Sequence, residues 1–243
     1  MRQWQGKRYW LVGASEGLGA ALAQKLSRAG AEVILSARSA ERLAEVAAGL
    51  PGKVQVVPCD VSSDDSVAQA AAKVGAVDGV VYLAGVYWPQ RSQGWDAAQV
   101  TAMCDVNFTG CARVLGQVVP GMVARDAGHI VLTGSLSGFR GLPGAVGYGA
   151  SKAAVMYLAE GMYGELRNTG VDVQLANPGF IKTRLTDKND FSMPFIMTPE
   201  QAAQQMFEHM QGDRFAKSFP FGFSLLFRFS RFWPGWLYHS VFR

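Results

Sequence analysis

A chain of 243 residues, 49% hydrophobic and 17% charged, is long enough to bury a core as one α/β domain and is excluded from the disordered class. Its net charge of +4 comes from Lys and Arg scattered over most of the length, so no basic stripe points to nucleic acid. Cys59, Cys104 and Cys111 lack disulfide or metal spacing, the first residues carry no apolar signal core, and no run of about 18 apolar residues occurs; the expected location is cytoplasmic.

Residues 9–12 form a short apolar run, followed at once by Gly13-Ala14-Ser15-Glu16-Gly17-Leu18-Gly19 and a helical stretch over 20–29 that Gly30 closes. Strand, glycine turn and helix are the context a phosphate cradle needs. Glycines let the backbone approach a pyrophosphate, and a helix N-terminus offers free N–H groups at a positive dipole end. The next strand, 32–36, leads into Arg38. An acid at this place would take a ribose 2′-hydroxyl, whereas an Arg accommodates a 2′-phosphate, so Arg38 points to NADP over NAD. The bland alternative is that Arg38 only covers a surface loop.

A helix over 40–50 ends at Pro51-Gly52, and a strand over 54–59 delivers Asp60 and Val61 to the same sheet edge. Asp60 either accepts from an adenine amino group or caps the helix that begins near Ser63. The strand 79–83 ends at Ala84-Gly85. A long helical region, about 96–125, holds Asn107 near its middle. An unpaired buried amide costs about 1–3 kcal/mol, so Asn107 either satisfies a local kink or holds water for a proton relay.

The apolar run 129–134 reads as a buried parallel strand with Ser135 at its carboxyl end, where open α/β sheets place their ligand crevice. Tyr148-Gly149-Ala150-Ser151-Lys152 opens a helix running to about 169. Four residues apart, Tyr148 and Lys152 share a face, and the ammonium is expected to pull the phenol pKa down from about 10 toward general acid/base use. A sixth strand, 171–176, precedes Asn177-Pro178-Gly179. The alternation predicts a doubly wound parallel sheet with helices on both faces, a Rossmann fold in a single domain.

Together Gly13-x-x-x-Gly17-x-Gly19, Asp60-Val61, Asn107, Ser135, Tyr148-x-x-x-Lys152 and Asn177-Pro178-Gly179 resemble the short-chain dehydrogenase/reductase family over about residues 7–220. The resemblance implies a nicotinamide cofactor over the strand ends, cradled by Gly13, Ser15, Gly17, Leu18, Gly19, Asp60, Val61, Ala84 and Gly85. It implies Tyr148 as acid/base, Lys152 on the nicotinamide ribose and Ser135 orienting the substrate oxygen. Asn107 would hold a relay water, and Pro178, Gly179, Ile181 and Thr183 would line the nicotinamide and phosphate end. Arg38 matches the NADP-preferring type, although Glu16 places an acid beside that pocket. The family usually has Thr at Val12 and Asn-Asn-Ala-Gly at Tyr82-Leu83-Ala84-Gly85; an apolar contact is expected to replace the missing hydrogen bonds. Relatives commonly form homodimers or homotetramers through the helices bearing Asn107 and Tyr148.

The resemblance makes the chain an NADP-dependent oxidoreductase of a hydrophobic, lipid-like carbonyl or alcohol. A redox sensor without turnover, or an epimerase or dehydratase, are the alternatives. Residues 1–220 are expected as the dehydrogenase domain, with a lid near 183–199. Residues 221–243 form a basic, aromatic extension. At helical spacing Leu225, Leu226, Phe229, Phe232 and Trp233 share an apolar face, with Ser224, Arg228 and Arg231 opposite. Such a segment either roofs a substrate pocket, covers a partner subunit, or lies peripherally on a membrane surface.

Overall fold

The computed structural model describes residues 1–186 and 193–242. Its centre is a sheet of seven strands among the described residues: β1 (Arg8–Val12), β2 (Glu32–Ser36), β3 (Val54–Val56), β4 (Gly79–Tyr82), β5 (Gly128–Thr133), β6 (Val171–Pro178) and β7 (Ala216–Phe219). Their spatial order is β3-β2-β1-β4-β5-β6-β7, with every neighbouring pair parallel. The order reverses between β1 and β4, which opens a crevice at the carboxyl ends of these two strands.

The strand period of two divides the core between the faces of the sheet. Tyr9 and Leu11 of β1 point toward α1 (Gly17–Arg28), α2 (Ala40–Ala48) and α7 (Pro199–Gln211), where Leu22, Leu26, Leu43 and Met206 pack. Trp10 and Val12 point toward α3 (Asp64–Val74), α5 (Gly110–Ala124) and α6 (Val146–Leu166), among Val67, Val114 and Val155. The expected Rossmann fold is present. The expected apolar substitute for the missing polar link is there too. Val12 stands in register with Tyr82, accepts from the Leu83 N–H at 2.7 Å and shares a core with Tyr82 and Ala84.

Four local expectations need correction. The helical region around Asn107 is not continuous: α4 (Ala97–Cys104) gives way to a π-helical turn over Asp105–Thr109 before α5 begins. The Tyr82 hydroxyl donates to the Val106 carbonyl at 2.6 Å, meeting an acceptor inside this turn. Strand β7 was not foreseen, because Ala216-Lys217-Ser218-Phe219 lacks alternation and buries only its last residue. Asp60 does not cap α3; Ser63 does, accepting from the Ser66 N–H at 3.2 Å, while Asp60 turns onto Ser62.

The fourth concerns α8 (Phe221–Ser230). Ser224 is not on the solvent side with the arginines but fully buried, together with Phe227 and Ser230, while Phe229 and the following Phe232 are 58% and 81% exposed. The serine hydroxyls cost little inside because each donates back to a helix carbonyl, Ser224 to Phe221 and Ser230 to Phe227. A short α9 (Gly235–Val241) follows, its Tyr238 buried. Among the described residues no helix is long and apolar enough to cross a membrane.

Candidate active site

The crevice at the β1–β4 reversal is an open cleft of about 310 Å³ that runs from the glycine turn to Tyr148 and Lys152. At one end, Gly13 has φ +99°, and a Cβ there would fall 2.4 Å from the Ala84 backbone nitrogen, so only glycine lets the two loops meet. Gly19 is equally constrained, since a Cβ would sit 2.1 Å from the Gly13 carbonyl oxygen. The first intrahelical bond of α1 is Ala20 N–H to the Glu16 carbonyl. The amides of Gly17, Leu18 and Gly19 therefore precede the hydrogen-bonded ladder, and the first turn carries no acid. This is an anion cradle, with the free amides and glycine backbone that a dinucleotide pyrophosphate requires.

Past the cradle, Arg38, Ser39, Arg42, Asp60 and Val61 line the cleft. Glu16 does not project freely at this end. It pairs with Arg184 and, at 3.8 Å, with Arg42, so its charge is already met by two guanidinium groups. Burial pushes the Asp60 carboxyl up, but hydrogen bonds from Ser62 and the charges of Arg38 and Arg113 outweigh it and hold the group below the usual carboxylate range. Arg42 and Arg184 were not singled out from the sequence. The signal for Arg42 was its place one helical turn beyond Arg38, on the helix that opens at the cleft.

At the other end, β5 delivers Ser135 and the first two turns of α6 deliver Tyr148 and Lys152. Ser135 is buried, and its Oγ accepts from the Ser137 N–H at 3.2 Å and the Ser137 hydroxyl at 3.0 Å. Lys152 is only 4% exposed; its Nζ donates to the Thr133 carbonyl at 2.9 Å and lies 5.8 Å from the centre of the Tyr148 ring. Ala84, Gly85, Pro178, Gly179, Ile181 and Thr183 line the cleft between the two ends. Ser135, Tyr148 and Lys152 are thus brought together as read.

The proton affinities differ from the reading. Burial pushes the Tyr148 phenol up to about 12, opposed by a hydrogen bond from Ser135. Burial also pushes the Lys152 ammonium down to about 8, and its Nζ donates to the Thr133 carbonyl. Desolvation of the phenol outweighs the hydrogen bond from Ser135.

Asn107 sits fully buried in the π turn, a place where such bulges re-aim side chains. Its Oδ1 accepts from the Val86 N–H at 2.8 Å, and its Nδ2 donates to the Val86 carbonyl at 3.1 Å and to Ser151 Oγ at 2.9 Å. The side chain therefore clamps the loop after β4 to α6, rather than satisfying the turn's own backbone. A Cβ on Gly85 would lie 3.4 Å from Asn107 Oδ1 and 3.8 Å from Lys152 Nζ, so the cleft is open there for want of a side chain. Thr133 Oγ1, in the cleft wall, is buried without a partner among the described residues.

Aromatic rings cover the outer side. Tyr87 meets Tyr148 edge-on at 5.0 Å, and Phe223 of α8 lies 6.0 Å from Phe180 and 5.4 Å from Phe195. Of the expected lid, residues 187–192 lie outside the described residues. Its far end is tied back, with Met197 exchanging hydrogen bonds with Phe180 and Lys182.

A doubly wound parallel sheet carrying an anion cradle and a Ser–Tyr–Lys cluster in one cleft defines a Rossmann-type oxidoreductase. Residues 7–192 match the short chain dehydrogenase family, and the protein belongs to that family. An uncharacterised oxidoreductase of Myxococcus xanthus is 36% identical over 242 residues, covering 96% of this chain and 95% of its own. Among solved structures, a short-chain dehydrogenase/reductase of Burkholderia phymatum in complex with NAD superposes with a TM-score of 0.86 at 26% identity, covering 95% of each chain. An alcohol dehydrogenase of Thermococcus sibiricus complexed with 5-hydroxy-NADP gives 0.79 at 26% identity, covering 88% of this chain and 95% of the other.

Proposed function

We propose that this oxidoreductase uses NADP and reduces the carbonyl of a hydrophobic substrate. The observation that carries the proposal is the convergence of Tyr148, hydrogen-bonded by Ser135, and Lys152 in the cleft that begins at the glycine cradle. A bound nicotinamide dinucleotide supplies the hydride to the carbonyl carbon. The chain supplies everything else.

The amides of Gly17, Leu18 and Gly19 would hold the pyrophosphate, and Ser15 and Thr183 flank it. Arg38 and Arg42 would take the 2′-phosphate, with Glu16 kept from opposing it by Arg184. Asp60 and Val61 would border the adenine, and Lys152 the nicotinamide ribose. Ser135 orients the substrate oxygen. A phenol held near pKa 12 is protonated at neutral pH, so Tyr148 serves as the acid that gives its proton to the oxygen as negative charge develops there. The rings of Tyr87, Phe180 and Phe223 offer apolar surface to the substrate.

The test is steady NADPH oxidation with a panel of aliphatic and aromatic ketones and aldehydes. Tyr148→Phe removes the proton donor and is expected to lower kcat by about 100-fold or more while NADPH still quenches tryptophan fluorescence. Unchanged kcat in the variant, or wild-type protein that binds NADPH and turns over nothing in the panel, overturns the proposal.

A further inference from the structure

Helix α8 carries aromatic rings on both its packed and its outward side. Its packed side holds Ser224, Phe227 and Ser230, and its outward side holds Phe221 and Phe229, 72% and 58% exposed. At about 100° per residue, Phe221, Leu225, Arg228 and Phe229 fall within an arc of about 100° on the helix surface. Phe232 in the next turn and Trp236 in α9 extend the display, at 81% and 74% exposure. Water-facing aromatic surface of this extent marks a contact.

Charge decides the occupant. From Arg214 to the end of the chain the sequence contains Lys217, Arg228, Arg231 and Arg243 but not one Asp or Glu. Arg228 and Arg231 are exposed beside the aromatic rings. A second copy meeting this face about a twofold axis would bring arginines against arginines. An anionic lipid surface meets both features at once: phenylalanine and tryptophan enter the interface while guanidinium groups stay with the headgroups.

We propose that the outward face of α8, with Phe232 and Trp236, docks the protein peripherally on an anionic lipid bilayer. Phe223 on the same helix touches Phe195 of the lid, so docking holds the covered side of the cleft near the bilayer, where lipophilic carbonyl compounds concentrate. The attachment itself does not depend on the reaction catalysed.

The experiment is co-sedimentation of the full chain with phosphatidylcholine vesicles, with and without phosphatidylglycerol. The wild type is expected to pellet with the anionic vesicles and to release as salt rises. Arg228→Glu/Arg231→Glu should weaken partitioning by about fivefold or more per charge. Phe229→Ser/Phe232→Ser/Trp236→Ser should lose it by more than tenfold, with thermal unfolding and turnover of a short water-soluble ketone unchanged. Wild-type protein that stays in the supernatant with both vesicles overturns the proposal, as does equal pelleting of the triple serine variant. So does sedimentation velocity in which lipid-free wild type is an oligomer that the triple variant dissolves, since the face would then belong to a second copy. If no ketone in the panel is reduced, the vesicle result still stands, so the two proposals fail separately.

Discussion

The guanidinium of Arg140 lies 4.1 Å above the ring of Tyr238, and its Nη1 donates to the carbonyls of Ser230 and, at 2.9 Å, Trp233. Tyr238 in turn donates to the Gly141 carbonyl at 2.8 Å. One arginine, five residues after Ser135, thus ties the carboxyl end of α8 and the first turn of α9 to the loop that leaves the active site. Arg140→Ala removes a cation–π contact and two carbonyl partners. We expect it to loosen residues 221–242 selectively, by about 1–3 kcal/mol in hydrogen-exchange protection of α8 amides, leaving β1 and β4 untouched. Uniform loss of protection across the sheet, or none in α8, would contradict this role.

Lys152 gives a pH dependence with a defined sign. Burial lowers its pKa to about 8, so the ammonium is complete well below that pH and is lost as pH rises through it. If the charge is needed beside the reacting oxygen, ketone reduction is flat near neutrality and falls about tenfold per unit above pH 8. Lys152→Arg keeps a cation that does not titrate in this range. Its absolute rate drops, but its alkaline limb moves upward. Identical limbs in both proteins would assign the titration to another group.

Much of this site was legible because its chemistry recurs at fixed spacing. The buried strands declare themselves as apolar runs, and glycines 13, 17 and 19 stand between such a run and a helical stretch, the context of a phosphate turn. What escaped depends on tertiary context. The π turn at Asp105–Thr109 leaves the apolar pattern of the flanking helices intact, so no period reveals the extra residue. Strand β7 earns its place by pairing with β6 at the sheet edge, not by its own composition. The proton affinity of Tyr148 follows from the desolvation of its phenol beside Ser135 and Tyr87, which a four-residue spacing does not encode. The orientation of α8 was misread because burying serines looks unfavourable until their hydroxyls are seen to bond within the helix.

The proposed preference for NADP rests on Arg38 and Arg42, beside a Glu16 that pairs with Arg184 and Arg42. Because Arg184 and Arg42 pair with Glu16, Arg38 faces the cleft without that carboxylate against it. Under that proposal Arg38→Asp removes the charge-assisted partner of the 2′-phosphate and adds repulsion. We expect the ratio of kcat/KM for NADPH over NADH to fall by about 10–100-fold, mostly through KM for NADPH. Glu16→Gln frees both paired arginines and should shift the ratio slightly the other way. A ratio unmoved by Arg38→Asp would place the 2′-phosphate elsewhere.

At the opposite end of the sheet, His129 is sealed between Tyr9, whose hydroxyl lies 2.9 Å from Nδ1, and Gln174, whose Oε1 lies 2.8 Å from Nε2. Burial pushes this imidazole down to about 3, and pushes that of His209 down to about 4. Both are therefore neutral in the folded protein at pH 5, whereas in the unfolded chain they titrate near 6.5. Below about pH 6.5 the unfolded state binds more protons, so stability is full above that value and declines as pH falls toward the folded-state values. Each histidine contributes a slope of up to about 1.4 kcal/mol per pH unit. Urea unfolding at pH 7 and pH 5 should therefore show a stability loss of about 2 kcal/mol or more, with the folded-state ring signals of His129 unmoved across the same range. Titration of the folded His129 ring near pH 6 would mean that the pocket admits the charged form, and the acid sensitivity would then have to come from the carboxylates alone.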